Sequence, residues 1–289
     1  MSNASSKHTE HQDRPKKGAS DSITTAPVTA PKTAAEAALK PAKRYHWTPM
    51  AAIAWVLVGF ALLPVVASVI ITFIPHILGW DSVRADEWVL NSPVSNFLFV
   101  LLSEVLTVGA LAWFIAHRKA SFRQVMALRR PKVSDLGYSV IGMVVYFVLF
   151  AAALVVAEQL FPINTDQEQA LGFSRGISGA GLMLAFVSLV ILPPIAEELI
   201  FRGFFYGTLR GYRLTAGWSI FITSAVFGAL HLFGSADGKL LWIAFIDTFM
   251  LSIVLCHLRE KTGAIWAPVI VHALKNGFVF VNLFIISVT

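Results

Sequence analysis

Charge is what this sequence has least of. Only 14% of its 289 residues are Asp, Glu, Lys or Arg, while 56% are apolar. A soluble domain usually carries about 25% and 45–50% respectively. The shortage is uneven: residues 1–45 hold eight of the 23 Lys and Arg and four of the 17 Asp and Glu. The remainder is poorer still and cannot coat a water-soluble globule of this size. Cysteine is nearly absent, with Cys256 alone, which excludes a disulfide scaffold. The apolar runs are continuous rather than alternating, so strands are not expected. No run of seven or more apolar residues occurs near the N-terminus, so no cleavable signal peptide is expected. The net charge of +6 does not point to nucleic acid. The basic residues flank apolar spans, where membrane topology accounts for them.

What is present is length in the apolar runs. A hydrocarbon core of about 30 Å needs about 20 helical residues. Runs of that order occupy residues 50–74, 93–116, 137–159, 179–209, 217–234, 240–257 and 264–286. The expected fold class is therefore all-α: a polytopic membrane helical bundle of about seven transmembrane helices with a disordered N-terminal tail. Residues 1–45 are rich in Ser, Thr, Ala, Pro and Lys and cannot bury a core, so they read as a disordered cytoplasmic tail. Residues 46–289 form the transmembrane helical domain. Pro193-Pro194 predicts a kink or break in the fourth span. Lys and Arg alternate between rich and poor connections, 18 on one side against 3 on the other. That bias places the N-terminus in the cytoplasm and suits the inner membrane of a cell.

Ionisable groups inside such spans are costly, and they are usually paired and functional. This chain keeps Glu104, Glu197, Glu198, Arg202, His231, Asp247, His272 and Lys275 there. Glu198 and Arg202 stand at i and i+4 on one helix face, as do Phe227 and His231, and His272 and Asn276. At 1.5 Å per residue, Glu197 lies about 20 Å, His231 about 21 Å and His272 about 14 Å from one membrane side. Three helices thus bring Glu and His to similar depths. Such a set suits peptide hydrolysis. A carboxylate and a histidine facing one water can deprotonate it, and a second histidine and an amide can donate to the oxyanion. Glu197 and His231 fit the first role, His272 and Asn276 the second. Glu198 is then neutralised by Arg202, leaving Glu197 as the unpaired carboxylate; Lys275 finds a partner such as Asp247. The structural alternative is an ion pair that locks helix packing, with the histidines and Asn276 as interhelical hydrogen-bonding residues and Phe227 as core.

Glu197-Glu198-Leu-Ile-Phe-Arg202, Phe227-Gly-Ala-Leu-His231 and His272-Ala-Leu-Lys-Asn276 lie in that order on separate apolar spans. In this the sequence resembles the CAAX protease and bacteriocin-processing family of intramembrane endopeptidases, over about residues 180–280. The resemblance implies a protease with Glu197, Glu198, His231, His272 and Asn276 as catalytic residues and Arg202 and Phe227 as structural, orienting ones. A peptide or a lipidated protein is the implied substrate, reached from the cytoplasmic side or laterally; the lipid bilayer is the other partner, no nucleic acid is expected, and oligomeric state is not readable. No cofactor is expected to be required. Zn²⁺ stays open as an alternative, with Glu197, His231 and His272 as its ligands, although the His-Glu-x-x-His signature of soluble metalloproteases is absent. The other class consistent with buried Glu, Asp and His is a non-proteolytic membrane protein, either a proton-coupled transporter or a bacteriocin-immunity or regulatory interaction partner.

Overall fold

The computed structural model describes residues 47–161, 169–233, 235 and 238–286. The tail expected over 1–45 lies outside the described residues. Among the described residues the secondary structure is helical, apart from one antiparallel bridge between Gln169 and Ser235. The helices in chain order are α1 (Pro49–Ile77), α2 (Ser82–Asn91), α3 (Pro93–His117), α4 (Phe122–Val125), α5 (Val133–Leu160), α6 (Gly179–Gly211), α7 (Ala216–Leu230), α8 (Trp242–Thr262) and α9 (Trp266–Ile286). Six of them are long and apolar enough to cross a membrane: α1, α3, α5, α6, α8 and α9. The chain is a multi-pass membrane protein. The seventh expected span, α7, has 15 residues, about 22 Å of helix. It stops at Leu230, so His231 caps it rather than lying within it.

Local chemistry sets these boundaries. The Thr48 hydroxyl accepts from the Ala51 amide, with Pro49 opening α1. Ser92 accepts from Val94 ahead of Pro93, and Thr215 accepts from Trp218. These caps satisfy amides that a helix start leaves without partners. Gly263 ends α8 at φ +69°, the left-handed turn that lets the chain reverse into α9. The polar helix α2 carries no apolar run and did not register as a span. Asp81 caps it, and Arg84 lies over the Trp80 ring at 4.2 Å.

The expected break at Pro193-Pro194 is not a break. The helix runs on through wider π turns at Val187–Ile191 and Leu199–Phe205. Proline has no N–H, so the Leu189 carbonyl loses the donor that residue 193 would supply. Asn276 of α9 fills that role, donating through Nδ2 to the Leu189 oxygen at 3.0 Å. Helices α7 and α8 meet closely at Gly228, where an added Cβ would stand 3.1 Å from the Phe245 ring and carbonyl. That glycine is filled space and leaves no room for a peptide. A core of Trp47, Phe114, Met126, Phe201, Phe204, Phe205, Phe227 and Ile265 occupies the half of the bundle near the basic connections.

Candidate active site

The long helix α6 supplies the carboxylates. Glu197 and Glu198 stand where its α-helical turn passes into the Leu199–Phe205 π turn. Such turns shift side-chain register and recur at functional sites. Because neighbours on a helix point about 100° apart, the two acids face different surroundings. Glu198 is fully buried and does not reach the cavity. Its Oε1 accepts from Arg202 Nη1 at 2.8 Å and from His272 Nδ1 at 2.9 Å. Glu197 lines the cavity, and its Oε2 has no hydrogen-bond partner among the described residues.

His272, from α9, is 4% exposed and sits between the two acids. Its Nδ1 donates to Glu198, and its Nε2 lies 3.8 Å from Glu197 Oε2. His231, at the end of α7, places Nδ1 2.8 Å from the Phe227 carbonyl. A carbonyl oxygen only accepts, so Nδ1 carries the hydrogen and the neutral ring presents Nε2 as an acceptor. Phe227 is the apolar pivot of the cluster. Its ring lies 4.7 Å below the Arg202 guanidinium, 4.6 Å from the His231 ring and 5.9 Å from the His272 ring. A desolvated cation over a ring contributes about 2 kcal/mol. Arg202 is thus held by Glu198 and Phe227 together, and the Arg202 carbonyl also accepts from Arg259 Nε at 3.2 Å.

The cavity has a volume of about 240 Å³. Glu197, His231, His272 and Asn276 line one part of it, while Leu189, Phe280 and Phe284 give it an apolar wall. Of the seven residues that the three motifs assign to the site, four therefore meet the cavity. Glu198, Arg202 and Phe227 stand behind it and hold the rest in place. Asn276 commits one amide hydrogen to Leu189, which leaves the other for the cavity.

Two further charges share the lining. Lys275 Nζ contacts Asp247 Oδ2 at 2.6 Å, the partner expected from sequence. Asp247 also accepts from the Tyr146 hydroxyl. Tyr146 was not singled out in sequence; the only signal was a phenol within an otherwise apolar span. Glu104 of α3 lies within electrostatic reach of Glu197.

The fit of a metal ion can be judged from these side chains. Among the described residues no three His, Cys, Asp or Glu are gathered so that they could hold one. Through Nδ1, His272 is tied to Glu198 and His231 to its own helix. That leaves both Nε2 atoms in the orientation histidine uses to ligate a metal, but with Glu197 they are not gathered closely enough to hold Zn²⁺ as arranged here.

These positions fall within a recognisable stretch. Residues 179–278 match the family model of Rce1-like type II CAAX prenyl endopeptidases. The resemblance read from the three motifs is borne out by that match, which runs from the start of α6 into α9. The chain is 30% identical over 160 residues to "Putative membrane peptidase YdiL" of Bacillus subtilis (strain 168), covering 53% of this chain and 60% of that relative. It is 24% identical over 183 residues to "UPF0177 protein YaiF" of Lactococcus lactis subsp. lactis (strain IL1403), covering 63% of this chain and 78% of that one. No solved structure matches.

Proposed function

We propose that the protein is an intramembrane endopeptidase that hydrolyses a peptide bond with a water activated by Glu197 and His231. The observation that carries this reading is the convergence of Glu197, His231 and His272, from α6, α7 and α9, on one polar cavity. The name of the Bacillus subtilis relative points the same way.

Each group has a chemical task. Glu197 and His231 both line the cavity, and His231 presents a bare Nε2, so a water between the carboxylate and the imidazole finds two acceptors. Glu197 takes the proton as the water oxygen attacks the scissile carbonyl. The carbonyl oxygen becomes an oxyanion, and the second Nδ2 hydrogen of Asn276 donates to it. An imidazolium at His272, held through Nδ1 by Glu198, has an Nε2 hydrogen to add. Fixed donors aimed at developing charge are commonly the largest single contribution to such a reaction. The intermediate collapses when the C–N bond breaks and the proton on Glu197 passes to the leaving amine. Arg202 and Phe227 orient rather than react. The route uses side chains and water without a metal, in keeping with the poor fit of the Zn²⁺ set.

The test is cleavage of a peptide library by purified protein in detergent. Wild type should cleave, and Glu197→Ala, His231→Ala and His272→Ala variants should not. Activity should persist through a chelator titration. Intact peptides with folded wild type would remove the protease reading in favour of the transporter or immunity class, and loss of activity restored by Zn²⁺ would replace the metal-free mechanism. We further propose the inner membrane as the protein's location, with the N-terminal side in the cytoplasm, from the distribution of Lys and Arg.

A further inference from the structure

The cavity extends towards one membrane face and is separated from the other by buried side chains. Following each helix from its basic end gives the direction. Connections 118–132, 212–215 and 263–265 lie at one face, where α3, α6 and α8 end. The described chain places ten Lys and Arg at or beside that face. The opposite connections hold Arg84, Arg175 and Lys239. The lining residues supplied by connections and helix ends belong to the charge-poor side, while Val279, within α9, borders the cavity from the lipid-facing side. Gln169 and Leu171 come from the connection between α5 and α6, Ala244 from the first turn of α8, and Phe284 from the last turn of α9. The Gln169–Ser235 bridge joins the two charge-poor connections beside this mouth. Glu197 and His272 form the floor.

Beyond the floor, towards the basic face, nothing is open. Phe201, Phe204, Phe205, Met126 and Ile265 fill that half at 0–1% exposure. Polar ties close its rim: Glu260 accepts from Tyr206 and Arg210 at 2.7 Å each, and Trp266 Nε1 donates to the Arg129 carbonyl. A peptide arriving from the basic face would have to part these side chains to reach Glu197.

We infer that the substrate is an apolar peptide segment presented from the extracytoplasmic face, reaching Glu197 through the mouth at Gln169, Leu171 and Ala244. The inference rests on the endopeptidase reading and adds the side of access and the substrate class. The positive-inside rule assigns the basic face to the cytoplasm, so the mouth faces outward. This departs from the cytoplasmic access expected from sequence, while the lateral access also expected there keeps a border at Val279. The apolar wall of Leu189, Phe280 and Phe284 accepts bulky apolar side chains, and the polar floor holds the scissile bond. An exported peptide and the outer flank of a membrane protein share this chemistry.

The experiment uses the full chain in right-side-out and inside-out vesicles, offered a membrane-impermeant quenched fluorescent peptide pool rich in Phe and Leu. Right-side-out vesicles should cleave at least about 10-fold faster, with Glu197→Gln silent in both. The same Phe- and Leu-rich segment fused outside a single-span anchor and co-reconstituted gives the second arm. Cleavage of the free peptide marks an exported substrate, cleavage of the fusion alone marks a membrane-protein flank, and either supports outward access. Faster cleavage by inside-out vesicles overturns the inference. So does cleavage in detergent with neither substrate cut in vesicles, which leaves the endopeptidase reading standing. Silence in detergent removes that reading, and cysteine labelling then decides the side of access alone. Gln169→Cys and Ala244→Cys should react with an impermeant thiosulfonate in intact cells, and Arg130→Cys only after the cells are opened. Buried Cys256 should stay silent. The reverse pattern, or an Ala244→Cys variant inert from outside beside a reactive Gln169→Cys variant, overturns the mouth.

Discussion

The two halves of this bundle are made from the same helices but solve opposite problems. In the basic half, α6 contributes Phe201, Phe204, Phe205 and Leu209, each at most 2% exposed. One turn earlier the same helix contributes Glu197 to a cavity. The first half is filled by packed aromatic and aliphatic side chains. The second holds a cavity of about 240 Å³ lined by charged and polar groups. The boundary between them is the Glu198–Arg202–His272 cluster, where two hydrogen bonds and the Phe227 ring hold a buried charge pair whose Glu198 Oε2, Arg202 Nε and Arg202 Nη2 have no hydrogen-bond partner among the described residues. The comparison teaches that the acids of one Glu-Glu pair meet different surroundings: Glu197 lines the cavity, whereas Glu198 is fully buried against Arg202 and His272.

The sharpest way to break that contrast is to exchange the two kinds of residue. Glu197→Gln keeps shape and removes the base. Cleavage should fall about 10²–10⁴-fold, with the thermal midpoint in detergent unchanged. A variant that keeps its rate would end the assignment of the base. Arg202→Met should do the reverse first. It removes the guanidinium from buried Glu198 and leaves His272 as its partner; breaking a buried pair in this way typically costs about 3–5 kcal/mol. Denaturant unfolding in micelles measures the loss, and an unaltered midpoint would show that the boundary cluster is not what holds the halves together. Gly228→Ala tests close helix approach beside the cavity. Forcing a methyl against Phe245 should cost about 1–3 kcal/mol by the same measurement, and a neutral result would mean that α7 and α8 can separate freely. The smallest effect belongs to the sealed half. Trp47→Phe removes the 2.9 Å bond from Trp47 Nε1 to Thr208 Oγ1 and should cost about 0.5–1.5 kcal/mol with cleavage unchanged. A fall in activity out of proportion to stability would show that the sealed half communicates with the cavity.

Much of this architecture was legible beforehand because apolar length is a local property. Every long helix begins within about four residues of its expected span, since caps at Thr48, Ser92 and Thr215 and the αL turn at Gly263 are written in adjacent residues. The bundle itself, all-α and multi-pass, was legible for the same reason. Helix α2 was missed because it is polar, and the end of α7 was placed late because the apolar letters run on past Leu230 while the helix does not. Pro193-Pro194 does not break the helix, which continues through π turns on both sides. A proline pair removes two donors, and the arrival of Asn276 from α9 restores one of them at the Leu189 carbonyl.

By itself, the sequence determined that the chain lies in a membrane, roughly where its helices fall, and which ionisable residues cannot be there by accident. These follow from composition and from spacing along single helices, which short-range forces control. Only the tertiary structure decided which glutamate meets the cavity, that Asn276 serves a carbonyl on another helix, that Tyr146 joins Asp247 and Lys275, and which face the mouth opens on. Those outcomes depend on distances between residues far apart in the chain. Such distances are set when side chains of neighbouring helices interlock, and no window of sequence contains them.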